Sequence, residues 1–240
     1  MRRIITVVGL ALVLSASALR AGEGKDGFIT KTYTGPEGEG KYVVYVPKSY
    51  TGDKAFPLIL FLHGSGETGT DGELQVKVGL APAIKKKTDF PFIAVFPQSQ
   101  KRSWQAGGPD AKRAMSILAE VEKAYKVDSK RIYLTGLSMG GFGTWSLAAA
   151  YPDRWAAIAP ICGGGKADTA EKIKHIPCWC FHGDADKAVN VNGSRAMIEA
   201  LKKAGAMPIY TEYPGVGHNS WDRAYATAEL YDWFLKQKAK

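Results

Sequence analysis

Strand-length runs of largely apolar residues recur through this chain and constrain its fold more than any other feature. They are Pro57–Leu62 (PLILFL), Phe92–Phe96 (FIAVF), Arg131–Thr135, Ala156–Ile161 and Pro177–Phe181. A strand with one solvated face alternates apolar and polar residues; continuous runs belong to strands covered on both faces, as in parallel sheets. Helical stretches lie between the runs. Asp110–Tyr125 places Ala114, Ile117, Leu118, Val121 and Tyr125 on one face at 3.6-residue spacing. Met139–Ala150, Gly193–Ala204 and Trp221–Lys236 complete the set, and Ile209–Tyr213 is the last strand. Alternating strand and helix predicts a doubly wound α/β domain. Phe28–Tyr33 and Tyr42–Val46, bracketing Gly35-Pro36-Glu37-Gly38, predict an antiparallel hairpin at its N-terminal edge. With no repeat or linker, the 240 residues read as a single core.

The first 21 residues follow a different logic. Arg2 and Arg3 precede an apolar run, Ile4–Leu14, and small residues follow at Ser15, Ala16, Ser17, Ala18 and Ala21. This is the layout of a secretory signal peptide, with cleavage after Ala18 or Ala21, and the run is short for a membrane span. The expected division is therefore 1–21 signal peptide and 22–240 catalytic domain, a secreted or periplasmic protein with no stable membrane insertion. Removing residues 1–21 takes away three arginines and no acid, so the formal charge of +9 falls to +6. The remaining basic residues are scattered without interleaved aromatics, which argues against a nucleic-acid partner. Export permits disulfides. Cys178 and Cys180, two apart in a strand, lie at the limit of bridging distance, whereas Cys162 can reach one of them from an adjacent strand. A metal site of His175, Cys178 and Cys180 is disfavoured by the apolar strand around it, and no metal or cofactor is expected.

One segment carries chemistry. Ile132–Thr135 runs into Gly136-Leu137-Ser138-Met139-Gly140, and a helix follows. A serine on a sharp strand-to-helix turn has an exposed hydroxyl, and small residues two before and two after let strand and helix approach. The helix N-terminus aims unpaired N–H groups at a developing oxyanion. Ser138 is thus the candidate nucleophile. In this type of site the acid and then the base follow the serine in the chain. Of four histidines, His218, in the loop Gly215–Ser220 after the last strand, fits as base. Asp184 and Asp186, in the loop after Cys178–Phe181, are both available as the acid, with Asp186 favoured and the other suited to capping the turn. The strand Pro57–Leu62 ends in His63-Gly64-Ser65-Gly66, so the backbone N–H groups of Ser65 and Met139 are the candidate oxyanion hole.

Taken together, Phe61–Gly72 (FLHGSGETGTDG), Ala94–Trp104 (AVFPQSQKRSW), Gly136–Gly143 (GLSMGGFG), His182–Val189 (HGDADKAV) and Gly217–Trp221 (GHNSW) make the chain resemble the α/β hydrolases. The resemblance is to their carboxylesterase and dienelactone-hydrolase branch, and most to secreted esterases related to feruloyl esterases and polyhydroxybutyrate depolymerases. Proteins labelled predicted peptidases fall in the same group. The resemblance implies an α/β-hydrolase fold and a serine esterase acting through an acyl-enzyme. It implies Asp186 as the acid, the fifth position of HGxxDxxV, and places Gln98 and Trp104 near the site mouth. The HGSG loop differs from the HGGG of many lipases, which speaks against a lipid substrate.

Only about fourteen residues (Cys162–His175) separate the sixth and seventh strands, too few for a cap domain. The cleft is therefore expected to be open, suiting an acyl or aryl group on a large polar carrier such as a plant polysaccharide; the substrate expected is a small-molecule or polysaccharide-linked ester. Trp104, Trp145 and Trp221 are candidate aromatic walls. A peptidase using the same residues, and a silent polysaccharide-binding protein, are the alternative readings.

Overall fold

The computed structural model describes residues 27–240; the N-terminal signal-peptide assignment lies outside the described residues. Eight strands form one sheet: β1 (Phe28–Tyr33), β2 (Gly40–Tyr45), β3 (Phe56–Leu62), β4 (Ile93–Pro97), β5 (Val127–Leu137), β6 (Ala157–Ile161), β7 (Trp179–Gly183) and β8 (Ile209–Tyr213). Their spatial order is β1-β2-β4-β3-β5-β6-β7-β8. β1, β2 and β4 pair antiparallel, and every pairing from β4–β3 to β7–β8 is parallel. The hairpin closes on a Gly38 N–H bond to Gly35 O, with Gly38 at φ 84°.

The apolar runs are continuous because each strand buries both faces. Leu58, Leu60 and Leu62 of β3 join one core with α2 (Pro109–Ala124), α3 (Met139–Ala150) and α5 (Asn192–Lys203). Ile59 and Phe61, between them, join a second core with α1 (Leu80–Lys85), α6 (Trp221–Ala226) and α7 (Ala228–Lys236). All five residues are fully buried, each side chain contributing about 1.5–3 kcal/mol. The connection from β6 to β7 holds a short 3₁₀ turn (Ala167–Thr169) and one helical turn, α4 (Ala170–Ile173), with no cap inserted.

Two of the differences from the sequence expectation concern helices. The stretch 221–236 is two helices, broken at Thr227, whose backbone is extended (φ −70°, ψ 110°) and whose hydroxyl bonds back to Arg223 O. A β-branched residue with a hydroxyl free to pair with the preceding turn offers the backbone an alternative to helix. Helix α1 has too short a pattern to read from sequence; it exists because Leu80, Ala81 and Ile84 pack onto the sheet.

The strand-to-helix turn at 136–140 depends on absent side chains. A Cβ at Gly140 would lie 1.9 Å from Leu62 O, and one at Gly136 would lie 2.4 Å from Gly140 O. Both obstacles are backbone, which yields little. Gly140→Ala is expected to cost about 3 kcal/mol, read from the urea-unfolding midpoint; a loss below about 0.5 kcal/mol would contradict this packing.

Candidate active site

The C-terminal ends of β5, β7 and β8 meet at one point. Ser138 stands between β5 and α3 with φ 53° and ψ −117°, a conformation that side chains other than glycine rarely adopt. Its N–H donates to Ile161 O at 3.0 Å and lies 3.3 Å from Cys162 Sγ, so the strained bend is tied to the end of β6. His218 lies on the loop after β8, with Nε2 2.9 Å from Ser138 Oγ and Nδ1 2.7 Å from Asp186 Oδ2. The Trp221 ring packs edge-on against the imidazole at 5.2 Å.

The two aspartates after β7, of which the sequence reading favours Asp186, have different partners. Asp184 turns away from His218 and accepts the Gly215 N–H at 2.7 Å, latching the loop that carries His218. The same two loops are joined by Asp184 N–H to Tyr213 O and Ala185 N–H to Val216 O. The Asp186 side chain is buried and accepts N–H bonds from Ala188 and Val189 on Oδ1, at 2.8 and 2.9 Å. Its Oδ2 takes His218 Nδ1–H and also His182 Nε2, at 3.1 Å. Burial alone would raise this carboxyl; the bonds from Val189, His218 and Ala188 outweigh it and hold it below the usual range.

Ser65 begins a 3₁₀ turn, Ser65–Glu67, directly after β3, and lines the cleft together with Ser138 and Met139. As the first residue of α3, Met139 has an N–H outside the helical ladder. The shape of the Ser65 loop is set from below by residues that sequence reasoning passed over. His63 is fully buried; its Nδ1 lies 2.6 Å from Gly64 O and its Nε2 accepts the Ser99 N–H at 2.9 Å, which fixes the tautomer. Burial pushes its pKa down to about 4. Ser99 is in turn held by Asp110, whose Oδ2 accepts from Ser99 Oγ, Gln100 N–H and Lys101 N–H, and whose Oδ1 pairs with buried Arg113. In sequence, Asp110 and Arg113 look like an ordinary i,i+3 surface pair.

The residues expected to meet substrate divide. Trp104 and Gln105 line the cleft, about 580 Å³, with Ser138, Phe142 and His218. Trp104 is otherwise buried, donating Nε1–H to His63 O at 3.0 Å. Gln98 is a strut: its Oε1 accepts the Gly72 N–H, and its Nε2 reaches Glu67 O and Asp71. Trp221 contacts the His218 ring and is not among the cleft-lining residues. Trp145 is buried, its Nε1–H on Gly163 O, beneath a second hollow of about 670 Å³ that shares Gln105 and Phe142 with the cleft.

Cys162, Cys178 and Cys180 are buried free thiols, so no disulfide joins Cys162 to either partner. His175 points to Pro152 O at the surface while Cys178 and Cys180 sit in the core. Cys162, Asp186 and His218 do bring ligand atoms within 4.8 Å of one another. Both His218 nitrogens are already engaged, and burial pushes the Cys162 thiol up to about 12, so the arrangement reads as hydrogen bonding rather than ligation. Among the described residues, no helix is long and apolar enough to cross a membrane.

His63 also makes stability pH-dependent. Its folded value, about 4, lies below the unfolded value of about 6.5. The unfolded chain therefore binds more protons in that window. The contribution is complete above about pH 6.5 and is lost as pH falls toward 4, up to about 3 kcal/mol. The urea midpoint is expected to fall more steeply from pH 6.5 to 4 in the wild type than in His63→Gln; parallel curves would contradict it.

The Esterase family model, described as "Putative esterase", matches residues 34–221. The bifunctional acetylxylan esterase/xylanase XynS20E of Neocallimastix patriciarum is 25% identical over 84% of this chain, which spans 29% of that protein. "Probable feruloyl esterase C" of Aspergillus terreus is 26% identical over 81% of this chain and 73% of its own length. The crystal structure of a thermostable esterase superposes with a TM-score of 0.78 at 34% identity, covering 89% of this chain and 64% of that one. With its parallel sheet, its serine on the β5–α3 turn and this match over most of its length, the chain belongs to the Esterase family of α/β-hydrolase carboxylic ester hydrolases.

Proposed function

We propose that the chain hydrolyses carboxylic esters through Ser138, His218 and Asp186. The observation that carries this reading is the unbroken hydrogen-bond path from Asp186 Oδ2 through the His218 ring to Ser138 Oγ. In the proposed reaction His218 Nε2 takes the Ser138 proton as Oγ attacks the ester carbonyl. Asp186 holds the tautomer and stabilises the imidazolium. The N–H groups of Ser65 and Met139 receive the oxyanion. The imidazolium then protonates the leaving alcohol, and water, deprotonated by the same ring, releases the acid from the acyl-enzyme.

The substrate class we favour is an acyl or aryl ester on a polar or polysaccharide carrier. The uncapped cleft supports it, as do relatives named for acetylxylan and feruloyl ester hydrolysis. The hollow beyond Phe142, a residue 37% exposed, extends the cleft in a form that suits a carrier. The N-terminal pattern of residues 1–21 supports export as its setting.

Ser138→Ala is expected to lower turnover of p-nitrophenyl acetate by at least about 10³-fold; a rate near the wild type's would overturn the assignment. Phe142→Ala is expected to raise KM for an acetylated or feruloylated oligosaccharide about tenfold, with KM for p-nitrophenyl acetate nearly unmoved. An equal effect on both would remove the carrier from this hollow.

A further inference from the structure

The Asp186 carboxylate is held unevenly. Both backbone donors, Ala188 and Val189 N–H, address Oδ1. Oδ2 receives only imidazoles: His218 at 2.7 Å and His182 at 3.1 Å. His218 belongs to a surface loop and its side chain is 28% exposed. His182 belongs to β7 and is fully buried. With Oδ1 anchored, the freedom left to the carboxylate is rotation that swings Oδ2, and His182 is the rigid group that opposes it.

The proton on His182 can be placed. Nε2 faces two acceptors, Asp186 Oδ2 and Val189 O, each at 3.1 Å, so it carries the hydrogen. Nδ1, left without a hydrogen, accepts from the Ser194 hydroxyl at 2.7 Å, tying the ring to α5. Burial lowers the affinity of this ring for a second proton, so it donates as a neutral group, and its hydrogen bond leaves the carboxylate its charge for His218.

We infer that His182 is a positioning residue: its Nε2–H fixes Asp186 Oδ2 toward His218 without touching substrate. The inference rests on the roles proposed above for Asp186 and His218. A misdirected Oδ2 would misalign the base, and such misplacement by about 1 Å costs on the order of 10²-fold in rate.

Glutamine and asparagine separate positioning from space-filling. In His182→Gln the side-chain amide reaches the place of Nε2 and still donates to Asp186. In His182→Asn the amide ends near Nδ1 and cannot. The expected result is that H182N lowers kcat for p-nitrophenyl acetate by about 10–100-fold with KM within about twofold, while H182Q stays within about fivefold of wild type. The rate of Ser138 labelling by a fluorophosphonate, normalised to folded protein, is expected to follow the same order. Equal rates in the two variants, or a wild-type labelling rate in H182N, would overturn the inference. Should H182N not fold, Ser194→Ala reads the same link, and a kcat equal to wild type would overturn it. A wild-type protein that is labelled but hydrolyses no ester would overturn the ester reading alone, with the labelling rates still deciding on His182. A wild-type protein that is not labelled would overturn both.

Discussion

Ser138 occupies a backbone conformation that costs on the order of 1–3 kcal/mol, and the architecture around it is what holds it there. Its N–H is bonded to the end of β6. The helix behind it approaches β3 so closely that Gly140 has no room for a methyl group. That approach in turn requires β3 and β5 to be neighbouring parallel strands, which requires both faces of the sheet to be covered. The continuous apolar runs, the two cores and the placement of the Ser138 hydroxyl are therefore consequences of one constraint: a turn that brings this side chain to the sheet's end rather than into its interior.

Around this turn, two buried carboxylates are each met by several donors. Asp186 meets two backbone N–H groups and two imidazoles. Asp110 meets a hydroxyl, two backbone N–H groups and the Arg113 guanidinium. Leaving a partner out would expose an uncompensated charge to low dielectric, a loss of about 3–5 kcal/mol. The first network orients His218. The second fixes Ser99, which fixes His63, which shapes the loop of Ser65. Rigidity at the cleft is thus inherited from polar clusters one layer below it.

The sheet, its hairpin edge and the serine turn were legible in the sequence because each depends on local pattern: run length, Gly-Pro punctuation, and small residues at fixed offsets from Ser138. The preference for Asp186 over Asp184 was legible too, but its physical basis was not. The difference lies in which carboxylate meets Gly215 N–H and which meets His218, a matter of two loops crossing. Gln98 and Trp221 are polar or aromatic residues near the site, yet their side chains engage a loop and an imidazole; residue type does not reveal which way a side chain faces. The break at Thr227 and helix α1 likewise rest on a side-chain bond and on packing rather than on periodicity.

If Ser138 alone carries the acyl group, a fluorophosphonate will mark it and no other residue. The most direct measurement is intact and peptide mass spectrometry of the wild-type protein after reaction with a fluorophosphonate. One adduct per chain is expected, on the peptide containing Ser138. An unmodified protein, or an adduct on another residue such as Ser65 or Ser220, would contradict it.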